Sequence, residues 1–193
     1  MRKALFHISY AFERRSLTGL SGYLEPFVKI LDSKPEDWHR AYTVNVFGVY
    51  HVSKAFLPLL LKTQNGMKEI LTLSSIGAHI VMPGGSGYQP GKLAVTRFSE
   101  FIGAEYPEML AYSIHPGGVL TELAKNMGKQ YESILSDKPQ LAADSIVFLT
   151  AQRREWLQGR YVSATWDMKE LLEKREKIEK DDLLKVRMAV GFD

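Results

Sequence analysis

Tyr88 and Lys92 stand four residues apart, Ser75 lies thirteen positions before the tyrosine, and Asn45 sits further back in a predicted helix. Residues four apart are neighbours on a helix surface, so this spacing puts a phenol and an ammonium on one face, with the serine on the preceding strand-to-loop segment. A free tyrosine titrates near pKa ~10, and a neighbouring ammonium favours the phenolate, so the pair suits general acid/base work beside a hydride donor. Spacing alone is weak, because Tyr50 and Lys54 repeat it. Asp37 occupies the place of the serine for that second pair, and both residues fall inside a long helix. Only Tyr88 and Lys92 follow a strand, a Ser-Ser pair and a glycine-rich loop.

The elements that must position these residues are legible in outline. Ser33-Lys-Pro-Glu36 reads as a helix start, with Ser33 as N-cap, Pro35 in the first turn and Glu36 in capping-box position. A helix is expected from there to about Lys62, with apolar residues around much of its circumference and hence burial on more than one side. Glu69 to Ser75 reads as a strand, residues 76 to 87 as a loop rich in Gly and Pro, and Tyr88 to about Tyr106 as a helix. Leu110 to Ile114 and Gly159 to Ser163 read as further strands, and Ala142 to Ala151 as a helix between them. Strands alternating with helices predict an α/β fold with a parallel sheet. Residues 1 to 22 are atypical and fit no clear period. The charge run from Lys169 to Asp182 reads as a solvated helix face with Met168, Leu171, Leu172 and Ile178 as its apolar stripe.

The 193 residues suffice for one domain spanning the chain and are too few for two. A net charge of +3 without a basic run interleaved with aromatics argues against nucleic acid. The longest apolar stretch, Ala55 to Leu61, is broken by Pro58 and is far short of the roughly 20 residues a membrane span needs. No membrane association and no secretory signal are expected, which leaves the cytoplasm as the default compartment. The chain has no cysteine, and its five histidines show no ligand spacing, so no metal is predicted.

In this order, the motifs resemble the short-chain dehydrogenase/reductase family from about Glu25 onward. The resemblance rests on Trp38 and Val44-Asn-Val-Phe-Gly48, on Leu73-Ser74-Ser75, on Tyr88-Gln-Pro-Gly-Lys92 and on Pro116-Gly-Gly-Val-Leu-Thr121. The ending Gly159-Arg-Tyr-Val-Ser-Ala-Thr-Trp-Asp167 looks most like a fungal branch found in secondary-metabolite pathways. The resemblance implies that Tyr88 is the proton donor or acceptor and that Ser75 binds the substrate oxygen. Lys92 would charge the site and hold the nicotinamide ribose, and Asn45 would hold a water beneath Lys92. Val119 and Thr121 match positions on the nicotinamide side of an NADP or NAD cofactor, with NADP slightly preferred. It also implies a small-molecule substrate and a homo-oligomer built on the helices at residues 37–62 and 88–106.

What the family adds at its N-terminus is a glycine-rich turn that seats the pyrophosphate. Thr18-Gly19-Leu20-Ser21-Gly22 does not supply it, since its glycine spacing is wrong and Asn45 follows too soon for two βαβ units of about 30 residues each. Gly85-Ser-Gly87 already belongs to the loop before the tyrosine. Gly22 instead matches the end of the family's Asn-Asn-Ala-Gly motif. A partial Rossmann-like, doubly wound parallel sheet lacking the glycine-rich βαβ half is therefore expected, with one edge exposed and prone to self-association. Three readings stand: an NAD(P)-dependent oxidoreductase acting on a ketone or alcohol of a small secondary metabolite; a non-redox remnant or partner of a complete reductase; and a cofactor-free isomerase or dehydratase using Tyr88.

Overall fold

The computed structural model describes residues 6–11 and 16–190. Strand β1 (Phe6–Ala11) and strand β2 (Ser16–Ser21) come first, followed by helix α1 (Pro35–Tyr42), a π-helical turn at Thr43–Phe47 and helix α2 (Gly48–Leu61). Strand β3 (Glu69–Leu73), helix α3 (Tyr88–Glu105) and strand β4 (Leu110–His115) form the centre of the chain. Helix α4 (Pro139–Thr150), strand β5 (Tyr161–Ser163) and the short helices α5 (Met168–Glu173) and α6 (Arg175–Lys180) complete it. The sheet runs in the order β1-β2-β3-β4-β5, parallel from β2 to β5, with β1 antiparallel on the β2 edge.

Two apolar layers explain why β3 and β4 read as nearly continuous buried runs: a parallel sheet is covered on both faces. Leu71, Leu110, Tyr112, Ile114 and Val162 face one way and pack with Leu149 of α4, Leu171 of α5 and Ile178 of α6. Ile70 and Ala111, one residue out of phase, face the other way and pack with Leu60 of α2 and Ile102 of α3. The charge run near the C-terminus thus uses Leu171 and Ile178 as expected, although a break at Lys174 divides it into two helices.

Several expectations change. Ser33 is not the cap of α1; Lys34 holds that position without a side-chain bond, while the Ser33 hydroxyl donates to Ile30 O. Pro35 does occupy the first turn, where its missing N–H costs nothing. The helix predicted to about Lys62 is two α-helices joined through the π-helical turn, and its burial is one-sided. Ala41, Val44, Val49 and Leu60 are buried, whereas Phe47, Tyr50 and Leu59 are exposed. The whole helical run of 27 residues is long and apolar enough to cross a membrane by length and composition alone, which the reading of residues 55–61 did not foresee. Here only the inward side of the run, Leu60 with Val52 and Phe56, packs against the sheet and α3.

The edge expected to stand open is paired. Six residue pairs join β1 to β2, from Phe6↔Ser21 to Ala11↔Ser16. Gly19 lies inside β2 opposite Thr72, so Thr18-Gly19 is strand and not a phosphate turn. Among the described residues no strand-turn-helix unit precedes β2, and the fold is a partial doubly wound sheet without the glycine-rich βαβ half.

Candidate active site

The C-terminal ends of β3 and β4 open on the same edge of the sheet, the usual place for a ligand crevice in such folds. Beyond β3, Ser75 begins a 3₁₀ turn at Ile76–Ala78, and its Oγ accepts from Gly77 N at 3.1 Å. That contact occupies a lone pair and leaves the hydroxyl hydrogen to donate. Its neighbour Ser74 points inward, donating to Lys92 O at 3.1 Å and lying 2.8 Å from Thr96 Oγ1, which ties the strand end to α3.

The loop from residue 79 to 87 delivers the chain to α3. Its glycines serve close approach: a Cβ on Gly84, which has φ +95°, would lie 2.9 Å from the Phe27 carbonyl carbon, and one on Gly87 would lie 3.0 Å from Glu25 Oε1. Gln89 closes the loop by accepting from Met82 N at 3.0 Å. Tyr88 is therefore the first residue of α3, and Lys92 sits one turn on with its Nζ 5.5 Å from the Tyr88 ring centre. Lys92 is almost completely buried and donates from Nζ to Leu73 O at 2.8 Å.

Burial dominates the electrostatics. It pushes the Tyr88 phenol up to about 12, a hydrogen bond with Ser75 pulls it down, and the nearby Glu25 carboxylate pushes it up again. Burial lowers Lys92 to about 8. The sequence led to the opposite expectation for the tyrosine, a phenolate favoured by Lys92. The correction has a simple cause, since burial takes the phenolate's charge out of water. Tyr88 is held as a proton-loaded acid.

Asn45 is fully buried in the π-helical turn. Its side-chain amide is turned toward the loop after β2, donating to Tyr23 O at 2.7 Å and accepting from Tyr23 N at 2.9 Å. The turn abuts α3 at Gly91, where an added Cβ would lie 3.5 Å from Val46 Cγ2 and 3.9 Å from Asn45 Cβ. Ser75, Tyr88 and Lys92 are thus brought together, with Asn45 packed against the same turn of α3. Val119 and Thr121 lie on the loop beyond β4 at the same end of the sheet. Val119 bridges to Ser136, and Thr121 Oγ1 accepts from Ala124 N at 3.1 Å. Gly117 in this loop has φ +92°, and Gly118 N donates to Asp137 Oδ2 at 2.7 Å, which fixes the loop's path.

Sequence reasoning missed Glu25. It is buried, and its Oε1 accepts from Gly87 N at 2.9 Å and from Tyr88 N at 2.8 Å. Its partners are more than sixty residues away, so no local pattern announces it; a lone acid among Leu24, Pro26 and Phe27 was the only hint.

A family profile described as short chain dehydrogenase matches residues 18–132. The short chain dehydrogenase mpl6 of Monascus purpureus is 43% identical over 190 residues, covering 97% of this chain and 64% of that protein. The short chain dehydrogenase andI of Emericella variicolor is 34% identical, covering 98% and 63% respectively. Among solved structures, a short chain dehydrogenase/reductase from Saccharomyces cerevisiae superposes with a TM-score of 0.65 at 20% identity, covering 77% of this chain and 65% of that one. A short chain dehydrogenase from Shigella flexneri complexed with NADP gives 0.59 at 22% identity, covering 77% and 62%. The chain spans somewhat under two thirds of the length of these relatives. Sequence order, sheet topology and these likenesses agree: the chain belongs to the short-chain dehydrogenase family.

Proposed function

We infer that this chain carries the proton-handling and nicotinamide-side elements of an NAD(P)(H)-dependent oxidoreductase that reduces a ketone, or oxidises an alcohol, on a small secondary metabolite. The observation that carries this reading is the convergence of the Tyr88 phenol, a hydroxyl from Ser75 and a buried Lys92 at one crevice. Tyr88 donates its proton to the substrate oxygen in reduction and takes one back in oxidation. Ser75, whose lone pair already serves Gly77 N, donates to the same oxygen as charge develops on it. Lys92, fixed by Leu73 O, keeps positive charge beneath the phenol. With its amide spent on Tyr23, Asn45 contributes by holding the loop after β2 against the helix that carries Tyr88.

The donor set suits a nicotinamide nucleoside, since an ammonium and a phenol one helical turn apart match ribose hydroxyls, and the Thr121 hydroxyl still has its hydrogen to give. Lys92, Tyr88, Val119 and Thr121 would hold that end, and the cofactor would supply the hydride. NADP is preferred over NAD, and the cytoplasm is the proposed compartment. Calorimetric titration with NADPH tests the reading: measurable binding is expected, and a flat titration at every workable concentration ends it.

One observation favours a second reading, a non-redox partner of a complete reductase. Among the described residues no glycine-rich turn precedes β2, and an antiparallel strand pairs with the β2 edge instead. Recovery of a full-length reductase in a pull-down, together with absent NADPH binding, would support it.

A homodimer is also proposed. Between α2 and α3 runs an apolar groove of about 450 Å³ lined by Val46, Phe47, Tyr50, Ala94, Phe98 and Phe101. Phe47 and Phe101 are each more than half exposed. A continuous apolar patch of this kind marks an interface, and both helices are those the family uses to dimerise. Sedimentation velocity should show a dimer for the native chain and a monomer for the Phe47→Glu, Phe101→Glu double variant. A native chain that sediments as a monodisperse monomer would remove the proposal.

A further inference from the structure

We propose that Glu25 is a positioning residue that fixes the start of α3 and thereby aims the Tyr88 phenol, an inference that rests on Tyr88 being the acid/base group. The first N–H groups of a helix have no partners within it and need an acceptor from elsewhere. Gly87, at the N-cap position, has no side chain to offer, and no side chain within the loop caps α3. Glu25 supplies the acceptor from a distant part of the chain, its Oε1 bonded to both Gly87 N and Tyr88 N. A carboxylate also suits the positive end of the helix dipole.

The bond is one of several that converge on the segment after β2. The Tyr23 backbone is held at both its N–H and its carbonyl by Asn45, and Leu24 O accepts from Asn126 Nδ2 at 2.7 Å. Three consecutive residues, 23 to 25, therefore reach the π-helical turn, the loop beyond β4 and the start of α3. Gly87 is shaped for this contact, since any Cβ there would meet Glu25 Oε1 at 3.0 Å and Trp38 Cδ1 at 3.1 Å. Glu25 Oε2 is buried and makes no hydrogen bond among the described groups. A carboxylate buried with one oxygen unbonded is expensive, and its retention at this spot is explained by the helix start it holds. Burial pushes the phenol up most, and the negative charge of Glu25 adds to that push. The other groups around Tyr88 are Lys92 on α3, the Ser75 hydroxyl from the β3 end and Tyr161 from β5.

The test uses the full chain without cofactor or substrate. Amide exchange is followed by NMR at Gly87 and Tyr88, and the Tyr88 phenol is titrated through its ring carbon. Glu25→Ala is expected to speed exchange at both amides by ~10-fold or more while Val95 to Ile102 of α3 stay unchanged, as loss of a charge-assisted hydrogen bond requires. Glu25→Gln, which keeps an acceptor but not the charge, should leave exchange within about threefold of native and move the Tyr88 midpoint downward. Unchanged exchange at the two amides in Glu25→Ala, or acceleration spread evenly along α3, overturns the proposal. If Glu25→Ala does not fold, Glu25→Asp decides: its carboxylate is one methylene too short to hold both amides, and unchanged exchange at Gly87 and Tyr88 overturns the proposal. A chain that binds no nicotinamide can still pass these measurements, and one that turns over substrate can fail them.

Discussion

Tyr88→Phe should abolish carbonyl reduction, lowering turnover by ~10²–10⁴-fold, the usual contribution of a positioned general acid. The change removes one oxygen and leaves the ring in place, so α3 keeps its packing and unfolding should barely move. NADPH affinity should fall modestly, because the phenol's contact to the ribose is lost while Lys92 and the loop beyond β4 are untouched. At matched cofactor occupancy the lost proton accounts for the loss of turnover. Burial pushes Tyr88 up to about 12, which favours a protonated phenol throughout the neutral range, as the proposed acid role requires. Native reduction should therefore show no acid-donor titration below about pH 11 from this group. The measurement is NADPH oxidation against a panel of small ketones, comparing native and variant chains at matched cofactor occupancy. A variant that keeps activity within threefold of native would mean that another group, with Ser75 the nearest candidate, delivers the proton.

The parts of the site that lie close together in the chain were legible beforehand, and the parts assembled across it were not. Tyr88, Lys92 and Ser75 belong to one strand-loop-helix unit, and helical periodicity with strand-end spacing is enough to bring them together. β3, β4 and α3 were legible for the same reason: buried strands and an amphipathic helix carry their pattern locally. The bonds from Asn45 to Tyr23 and from Glu25 to Tyr88 span 22 and 63 positions, and neither residue type announces its partner. The π-helical turn at Thr43–Phe47 was invisible for a related reason: it coincides with a tertiary bond made by Asn45 and a close approach of α3 at Gly91, neither of which local sequence shows. The pairing of β1 with β2 was missed because residues 1 to 22 have mixed periodicity. The protonation of Tyr88 was misjudged because spacing shows a neighbouring charge and conceals the depth of burial.

Lys92→Met should separate catalysis from stability. Lys92 falls from 10.5 to about 8 on folding because burial penalises its charge. The sign follows from proton counting: between those two values the unfolded chain binds more protons than the native one, so stability rises with pH. Below about pH 8 both states carry the proton and the penalty is present in full; the gap corresponds to roughly 3 kcal/mol. Other groups confine the useful window. Glu69, buried and raised to about 7, makes stability fall between pH 4.5 and 7, and the raised tyrosines Tyr23 and Tyr88 make it fall above pH 10. From pH 8 to 10 the native chain should grow steadily more resistant to urea, whereas Lys92→Met should lose most of that slope. At pH 7 methionine removes the buried charge but leaves Leu73 O without its donor, a loss of about 1–3 kcal/mol, so the two effects nearly cancel. Turnover should not be spared, because the ammonium beneath the phenol is gone. A native chain with flat stability from pH 8 to 10 would show that Lys92 keeps its proton in the folded state as it does in the unfolded one, so that burial does not strip the charge beneath the phenol.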